Sequence, residues 1–270
     1  MLNKVILITG STDGIGRQTA VELAALGATV LVHGRNPARG KVVVEEIQTS
    51  TGNPKVDLFI ADLASLKQVR ELAADVQRRY DRLDVLLNNA GVFMNERKLT
   101  EDGFEMTYAI NHLAPFLLTN LLLDLLKKSA PSRIVTVSSV AHTRGRIDFE
   151  NLQAEKTFGG YYAYALSKLA NVLFAHQLAR QLEGTGVTSN CLHPGVIGTK
   201  LLRAGFNMPG ASTADGAETL IHLASSPEVE RVTGKYFQNA ISISSSPVTY
   251  DETLQRELWK VSQKQSGLLE

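Results

Sequence analysis

Cysteine is nearly missing from this chain: Cys191 is the one thiol in 270 residues, so no disulfide forms within it. That fits a reducing compartment, and a cytoplasmic location is the expectation. Cys191 lies in an apolar, strand-like run, where a thiol ordinarily packs as a small hydrophobe. Excess charge is missing too. Lys and Arg number 28 against 27 Asp and Glu, a net charge of +1, which removes the electrostatic case for nucleic acid or an acidic membrane. No run approaches the roughly 18 apolar residues that a membrane span requires. The most apolar stretch, Leu113 to Leu126, is interrupted by Pro115, Asn120 and Asp124 and reads as a buried core helix. The opening MLNKVILITG has no charged segment ahead of a long apolar one, so neither a signal sequence nor a membrane anchor is expected. The six histidines are dispersed, and the sequence holds no metal-binding constellation.

What is present is an alternation. Val5–Ile8, Thr29–His33, Val56–Ile60, Val85–Asn88, Ile134–Ser138, Val187–Leu192 and Lys235–Phe237 read as strands, most of them continuously apolar, as a sheet covered on both faces requires. Between them, Ile15–Leu26, Pro37–Thr49, Leu66–Tyr80, Phe104–Lys128, Tyr161–Leu182 and Asp215–Ala224 read as helices. The alternation predicts an α/β fold: one doubly wound parallel sheet of about seven strands with helices on both faces. With no repeat or linker, residues 1–270 form a single domain. Two segments interrupt the rhythm, 140–160 and 199–213. Both leave the carboxyl ends of strands, where open α/β sheets bind ligands, and substrate recognition is expected there.

Thr9-Gly10-Ser11-Thr12-Asp13-Gly14-Ile15-Gly16 lies between the first strand and the first helix. Glycines there allow a tight turn and a close approach of backbone to a pyrophosphate, beside the positive end of the helix. The second strand ends in Val32-His33-Gly34-Arg35-Asn36, with no acidic residue for a ribose 2′-hydroxyl. Arg35, with Arg17 near by in sequence, suits a 2′-phosphate, so NADP(H) is predicted over NAD(H). Asp62 and Leu63 are placed to frame the adenine, and Asn89, Ala90 and Gly91 leave room for the cofactor after the fourth strand.

Tyr164 and Lys168 share a helix face at i and i+4. A phenol titrates near about 10 when unperturbed, and a neighbouring ammonium is expected to lower that value. Tyr164 then acts as general acid in reduction and base in oxidation. Ser138 and Ser139 end the fifth strand, and a hydroxyl from either suits a substrate oxygen. Pro115 offers no N–H to the Asn111 carbonyl and costs a helix interior roughly 3 kcal/mol. That carbonyl is expected to hold a water on a proton path from Lys168.

Taken together, TGSTDGIG at 9–16, DL at 62–63, NNAG at 88–91, Asn111, Ser139, Tyr164-x-x-x-Lys168 and HPG at 193–195 resemble the short-chain dehydrogenases/reductases over almost the whole length. The resemblance implies a Rossmann fold and a catalytic set of Asn111, Ser139, Tyr164 and Lys168, the second serine of its pair being the catalytic one. It also implies that Pro194, Gly195, Val196 and Thr199 close over the nicotinamide. Cofactor contacts are expected from Gly10, Ser11, Thr12, Gly14, Ile15, Gly16, Arg35, Asp62, Leu63, Asn89, Ala90, Gly91, Tyr164 and Lys168 as well. Within the family, NNAGVFM, SAPSRIVTVSSVAH, GRIDFENL and SKLANVLF look most like the retinol dehydrogenase and WW-domain oxidoreductase branch, which generally uses NADP(H). The family's frequent basic residue before the second motif glycine is Asp13 here, which leaves the 2′-phosphate to Arg35. Homodimers or homotetramers are the implied assemblies.

The reaction implied is reversible hydride transfer between NADP(H) and a carbonyl or alcohol. Leu201, Leu202, Phe206 and Met208, if they form a lid, select an apolar aldehyde, ketone or alcohol. Two alternatives stand beside this reading: an NAD(H)-linked alcohol dehydrogenase, and a non-catalytic NADP(H)-sensing protein on the same fold.

Overall fold

The computed structural model describes residues 1–269. The chain runs β1 (Val5–Ile8), α1 (Gly14–Ala25), β2 (Thr29–Gly34), α2 (Pro37–Thr51), β3 (Val56–Ile60), α3 (Leu66–Arg79) and β4 (Val85–Asn88). It continues through α4 (Met106–Tyr108), a π-helical turn (Ala109–Leu113), α5 (Ala114–Lys128), β5 (Ser132–Val137), a 3-10 turn (Val140–Arg144), α6 (Gly160–Gln181) and β6 (Val187–His193). The last part is α7 (Lys200–Phe206), α8 (Thr213–Ser225), β7 (Tyr236–Gln238), β8 (Ile241–Ile243) and α9 (Glu252–Gln265).

Among the described residues the strands form one eight-stranded sheet, in the order β3-β2-β1-β4-β5-β6-β7-β8. All neighbours are parallel except β7 and β8. The strand order reverses between β1 and β4, and the crevice beyond their carboxyl ends is where such sheets take ligands. Alternation along β1 divides the core. Val5 and Leu7 join Leu72, Leu117 and Phe174 on one face, and Ile6 and Ile8 join Leu23, Val43 and Leu220 on the other. Side chains start the helices: Asp13 caps α1, Asn36 precedes Pro37 at the head of α2, and Ser65 caps α3.

The single doubly wound domain matches the sequence expectation, with five local differences. Lys235–Phe237 is displaced by one residue to Tyr236–Gln238, and an unpredicted eighth strand folds back on it. The turn between them holds Asn239 at φ 51° and Ala240 at φ 59°, the paired left-handed geometry of a two-residue hairpin. The expected helix Phe104–Lys128 starts two residues later, at Met106, and runs to Lys128 with a π turn inside it. Ala114 donates to the Ala109 carbonyl, five residues back, and Pro115 follows directly, giving the preceding turn no N–H. Finally, α7 lies inside the expected 199–213 loop, and α9 closes the chain. The span Met106–Lys128 has the length and hydropathy to cross a membrane, yet 72% of its most apolar window is buried, as in a core helix.

Candidate active site

A groove of about 540 Å³ opens over the carboxyl ends of β1, β4, β5 and β6. Its cofactor-like end is built on the turn after β1. Gly10 has φ +65°, and a Cβ there would lie 2.9 Å from Ala90 Cα. A Cβ on Gly16 would lie 2.4 Å from Asn89 Nδ2 and 2.5 Å from the Gly10 carbonyl. Both positions therefore require glycine for close packing of the turn against β4. Thr9 Oγ1 accepts from the Asn89 and Ala90 N–H groups, and Asn89 Nδ2 donates to the Thr9 carbonyl at 2.8 Å.

Sequence reasoning gave His33 no role here. Its Nδ1 accepts from the Gly10 N–H at 3.1 Å, so the ring proton lies on Nε2 and points at the Ala61 carbonyl, 3.2 Å away. Burial pushes this imidazole down to about 4, so it is neutral at pH 7. The one available signal was a histidine at the end of a buried strand beside the glycine turn.

Gly10, Thr12, Gly14, Ile15, Gly16, Arg35, Asp62, Leu63, Asn89, Ala90 and Gly91 line the groove, as do Pro194, Gly195, Val196 and Thr199. Ser11 does not. It is fully buried, its hydroxyl donates to the Ile8 carbonyl at 2.7 Å and accepts from the His33 N–H, and its own N–H bonds the His33 carbonyl. The expected cofactor contact is thus a structural brace. Arg35 stands exposed on the rim. Arg17 turns away and pairs with Glu46 at 2.8 Å. Another arginine is nearer the turn: Arg39 donates to the Thr12 carbonyl at 3.0 Å and pairs with Asp13 at 2.9 Å. Lys200 of α7 meets the same carboxylate at 2.8 Å.

At the other end stand Ser139, Tyr164 and Lys168. The two serines have opposite fates. Ser138 Oγ donates to the Lys168 carbonyl at 2.7 Å, whereas the Ser139 hydroxyl accepts the Ala141 N–H at 3.2 Å and lines the groove together with Tyr164. Lys168 Nζ donates to the Val137 carbonyl at 3.1 Å and stands 5.5 Å from the centre of the Tyr164 ring. Burial pulls Lys168 down to about 8. The direction at Tyr164 differs from the expected lowering. Burial pushes the phenol up to about 12; the Ser139 hydrogen bond opposes this and Tyr161 adds to it. Burial disfavours the phenolate, so Tyr164 carries its proton at neutral pH.

Asn111 does not line the groove. Its side chain is fully buried: Oδ1 accepts from the Val92 N–H at 2.8 Å, and Nδ2 donates to the Val92 carbonyl and to Ser167 Oγ, each at 3.0 Å. It secures the strand-end segment after Gly91 to α6. Of segment 140–160, only Val140 and Ala141 reach the groove; Ile147, Phe149 and Leu152 pack under α6 instead. Two aromatics missed in the sequence, Phe93 and Tyr161, pack around Tyr164 and Phe206. Phe93 packs on Tyr164 and Phe206 at ring separations of 5.5 and 5.3 Å, and Tyr161 stands 6.0 Å from Phe206. Leu201, Leu202, Phe206 and Met208 complete this apolar wall.

The comparisons agree with this architecture. The short chain dehydrogenase family profile matches residues 4–209. Human retinol dehydrogenase 14 is 43% identical, over 100% of this chain and 88% of its own length. A Mycobacterium paratuberculosis protein of known structure superposes with a TM-score of 0.84 at 30% identity, covering 98% of this chain and 94% of its own. A short chain dehydrogenase from Escherichia coli CFT073, solved with NADPH, gives a TM-score of 0.75 at 29% identity over 89% of this chain and 98% of its own. The chain belongs to the short-chain dehydrogenase family. Within it, the chain is homologous to the retinol dehydrogenase branch.

Proposed function

We propose that this protein transfers hydride reversibly between NADP(H) and a lipophilic aldehyde, ketone or alcohol. The chain is an NADP(H)-dependent oxidoreductase of the short-chain dehydrogenase type. The residues fit the cofactor: a glycine turn that admits no side chain, the N-terminus of α1, Arg35 on the rim and no acidic residue at the end of β2. NADP(H), when bound, supplies or receives the hydride.

The chain's own residues handle the oxygen and the proton. Ser139 and Tyr164 hydrogen-bond the substrate oxygen and set its carbon toward the groove. In reduction, Tyr164 donates its proton to the oxygen as negative charge develops there. Its upward-shifted phenol is in the acid form that this step requires. Lys168 holds a positive charge below about pH 8, beside Tyr164 and the expected ribose site. Asn111 supports the path out: Pro115 gives its carbonyl no N–H, and a water held there beside Lys168 would relay protons to solvent.

The substrate class rests on one observation, the aromatic and aliphatic lining of Tyr161, Leu201, Phe206 and Met208 in the groove that holds Tyr164, with Phe206 6.1 Å from its ring. The retinol dehydrogenase names of the homologues agree with an apolar alcohol or aldehyde. A panel of carbonyls with NADPH and with NADH, followed by loss of nicotinamide absorbance, tests the reading. Long apolar aldehydes with NADPH should give the highest kcat/KM; a preference for small polar carbonyls would refute the substrate class. Arg35→Asp should move preference toward NADH by about tenfold or more, and an unchanged ratio would refute the role of Arg35.

A further inference from the structure

His142 stands behind the site and touches none of the groove, yet it is 2% exposed and engaged at both ring nitrogens. Its Nδ1 lies 2.7 Å from the Ser139 carbonyl, and its Nε2 lies 3.1 Å from the Ser246 N–H. The chemistry of these partners fixes the ring. A backbone N–H only donates, so Nε2 is the acceptor and carries no proton. A carbonyl only accepts, so the single ring proton sits on Nδ1. The same carbonyl also receives the His142 backbone N–H at 3.1 Å. The peptide group after Ser139 is thereby held twice, in the residue where β5 gives way to the 3-10 turn.

The far end of the strut is itself rigid. Ser246 precedes the 3-10 turn Pro247–Tyr250, and next to it Ser245 Oγ meets Thr249 Oγ1 at 2.6 Å. The Ser245 N–H donates to the Tyr250 hydroxyl at 3.2 Å. The Tyr236 ring covers the imidazole at 4.8 Å. A segment more than 100 residues downstream thus fixes the backbone of the serine that faces the substrate.

We propose that His142 is a positioning residue: its neutral, Nδ1-protonated imidazole braces the Ser139 backbone against the Ser246 loop, and so aims the Ser139 hydroxyl at the substrate oxygen. The inference rests on the reading of Ser139 given above. It also assigns the C-terminal segment a part in catalysis, since Ser246 supplies the anchor.

Conservative variants separate positioning from simple packing. Asparagine places an N–H near the position of Nδ1, whereas glutamine places its polar atoms near the position of Nε2. His142→Ala and His142→Gln should lower kcat with an apolar aldehyde by ten- to a hundred-fold, roughly the penalty for a small misplacement of a reacting group. NADPH affinity should stay within about twofold, because the strut touches no cofactor-facing residue other than through Ser139. His142→Asn should recover most of kcat. Equal losses in the Asn and Gln variants, or wild-type kcat in the Ala variant, would overturn the proposal. A second readout needs no turnover: nitrogen-15 spectra of the unmodified protein should show His142 with a protonated Nδ1 and an unprotonated Nε2. The opposite tautomer would overturn the strut even in an active enzyme. The expected tautomer in a protein that reduces no carbonyl would support the strut and refute the substrate reading.

Discussion

The Gly10 N–H is secured by an imidazole rather than by a carbonyl, and this detail decides how firmly the phosphate-binding turn is set. Replacing His33 by leucine strips partners from the Gly10 N–H and the Ala61 carbonyl together. The expected loss is about 2 kcal/mol of stability, read by urea unfolding, with NADPH binding weakened by about tenfold in a fluorescence titration. Unchanged affinity would show that the turn holds its shape without the ring. Single residues also mark where sequence reading succeeds and stops. Ser139, Tyr164, Lys168 and Arg35 line the groove as expected, although only the family resemblance chose Ser139 over Ser138. Ser11 and Asn111 sit inside equally firm motifs, yet both side chains turn inward to bind backbone. Motif position does not say which way a side chain faces. Nor did spacing reveal how deeply Tyr164 is buried, which disfavours its phenolate.

Under the proposed function, selectivity falls to α7 among the elements. It is capped by Thr199, whose hydroxyl accepts the Leu202 N–H, and it delivers Phe206 against Phe93. Truncating Phe206 and Met208 together to alanine should raise KM for long apolar aldehydes by about tenfold and leave small polar carbonyls within about twofold. The magnitude corresponds to roughly 1–3 kcal/mol of apolar contact. Steady-state kinetics on both substrate types checks it, and equal effects on the two would contradict a selective lid. The sequence shows α7 only as an interruption, because about two turns of helix are too short for periodicity to register. It misses β8 because the hairpin uses Asn239-Ala240 where the usual signal is Asn-Gly. For α9 a signal was present: Asp251 stands at the cap position, with Leu254, Leu258 and Val261 at helical spacing. The π turn explains the proline that a regular helix could not accommodate.

Over the whole molecule, acid sensitivity follows from where the histidines lie. His33, His112 and His193 are pushed down to about 4, and His142 and His176 are lowered as well, each chiefly by burial. The folded chain therefore binds fewer protons than the unfolded chain once pH drops below about 6.5. Their contribution is complete above that value and is lost as pH falls toward about 4. Unfolding free energy measured in urea should decline over this window by an amount on the order of a few kcal/mol. A flat profile between pH 7 and 4 would mean that these rings are protonated in the fold. At this scale the sequence was most informative. Continuous apolar strands dictated a sheet covered on both faces, and the reversal of strand order between β1 and β4 placed the groove where the motifs converge.

The central claim is that a protonated Tyr164 delivers a proton to an apolar carbonyl beside NADPH. The most direct measurement compares the wild-type protein with Tyr164→Phe, following NADPH absorbance with a long-chain aldehyde and NADPH binding by fluorescence in the same samples. The expected result is turnover in the wild type, a loss of about a hundredfold or more in the variant, and cofactor affinity equal within about twofold. Equal turnover in the two proteins, or no NADPH binding by either, would contradict it.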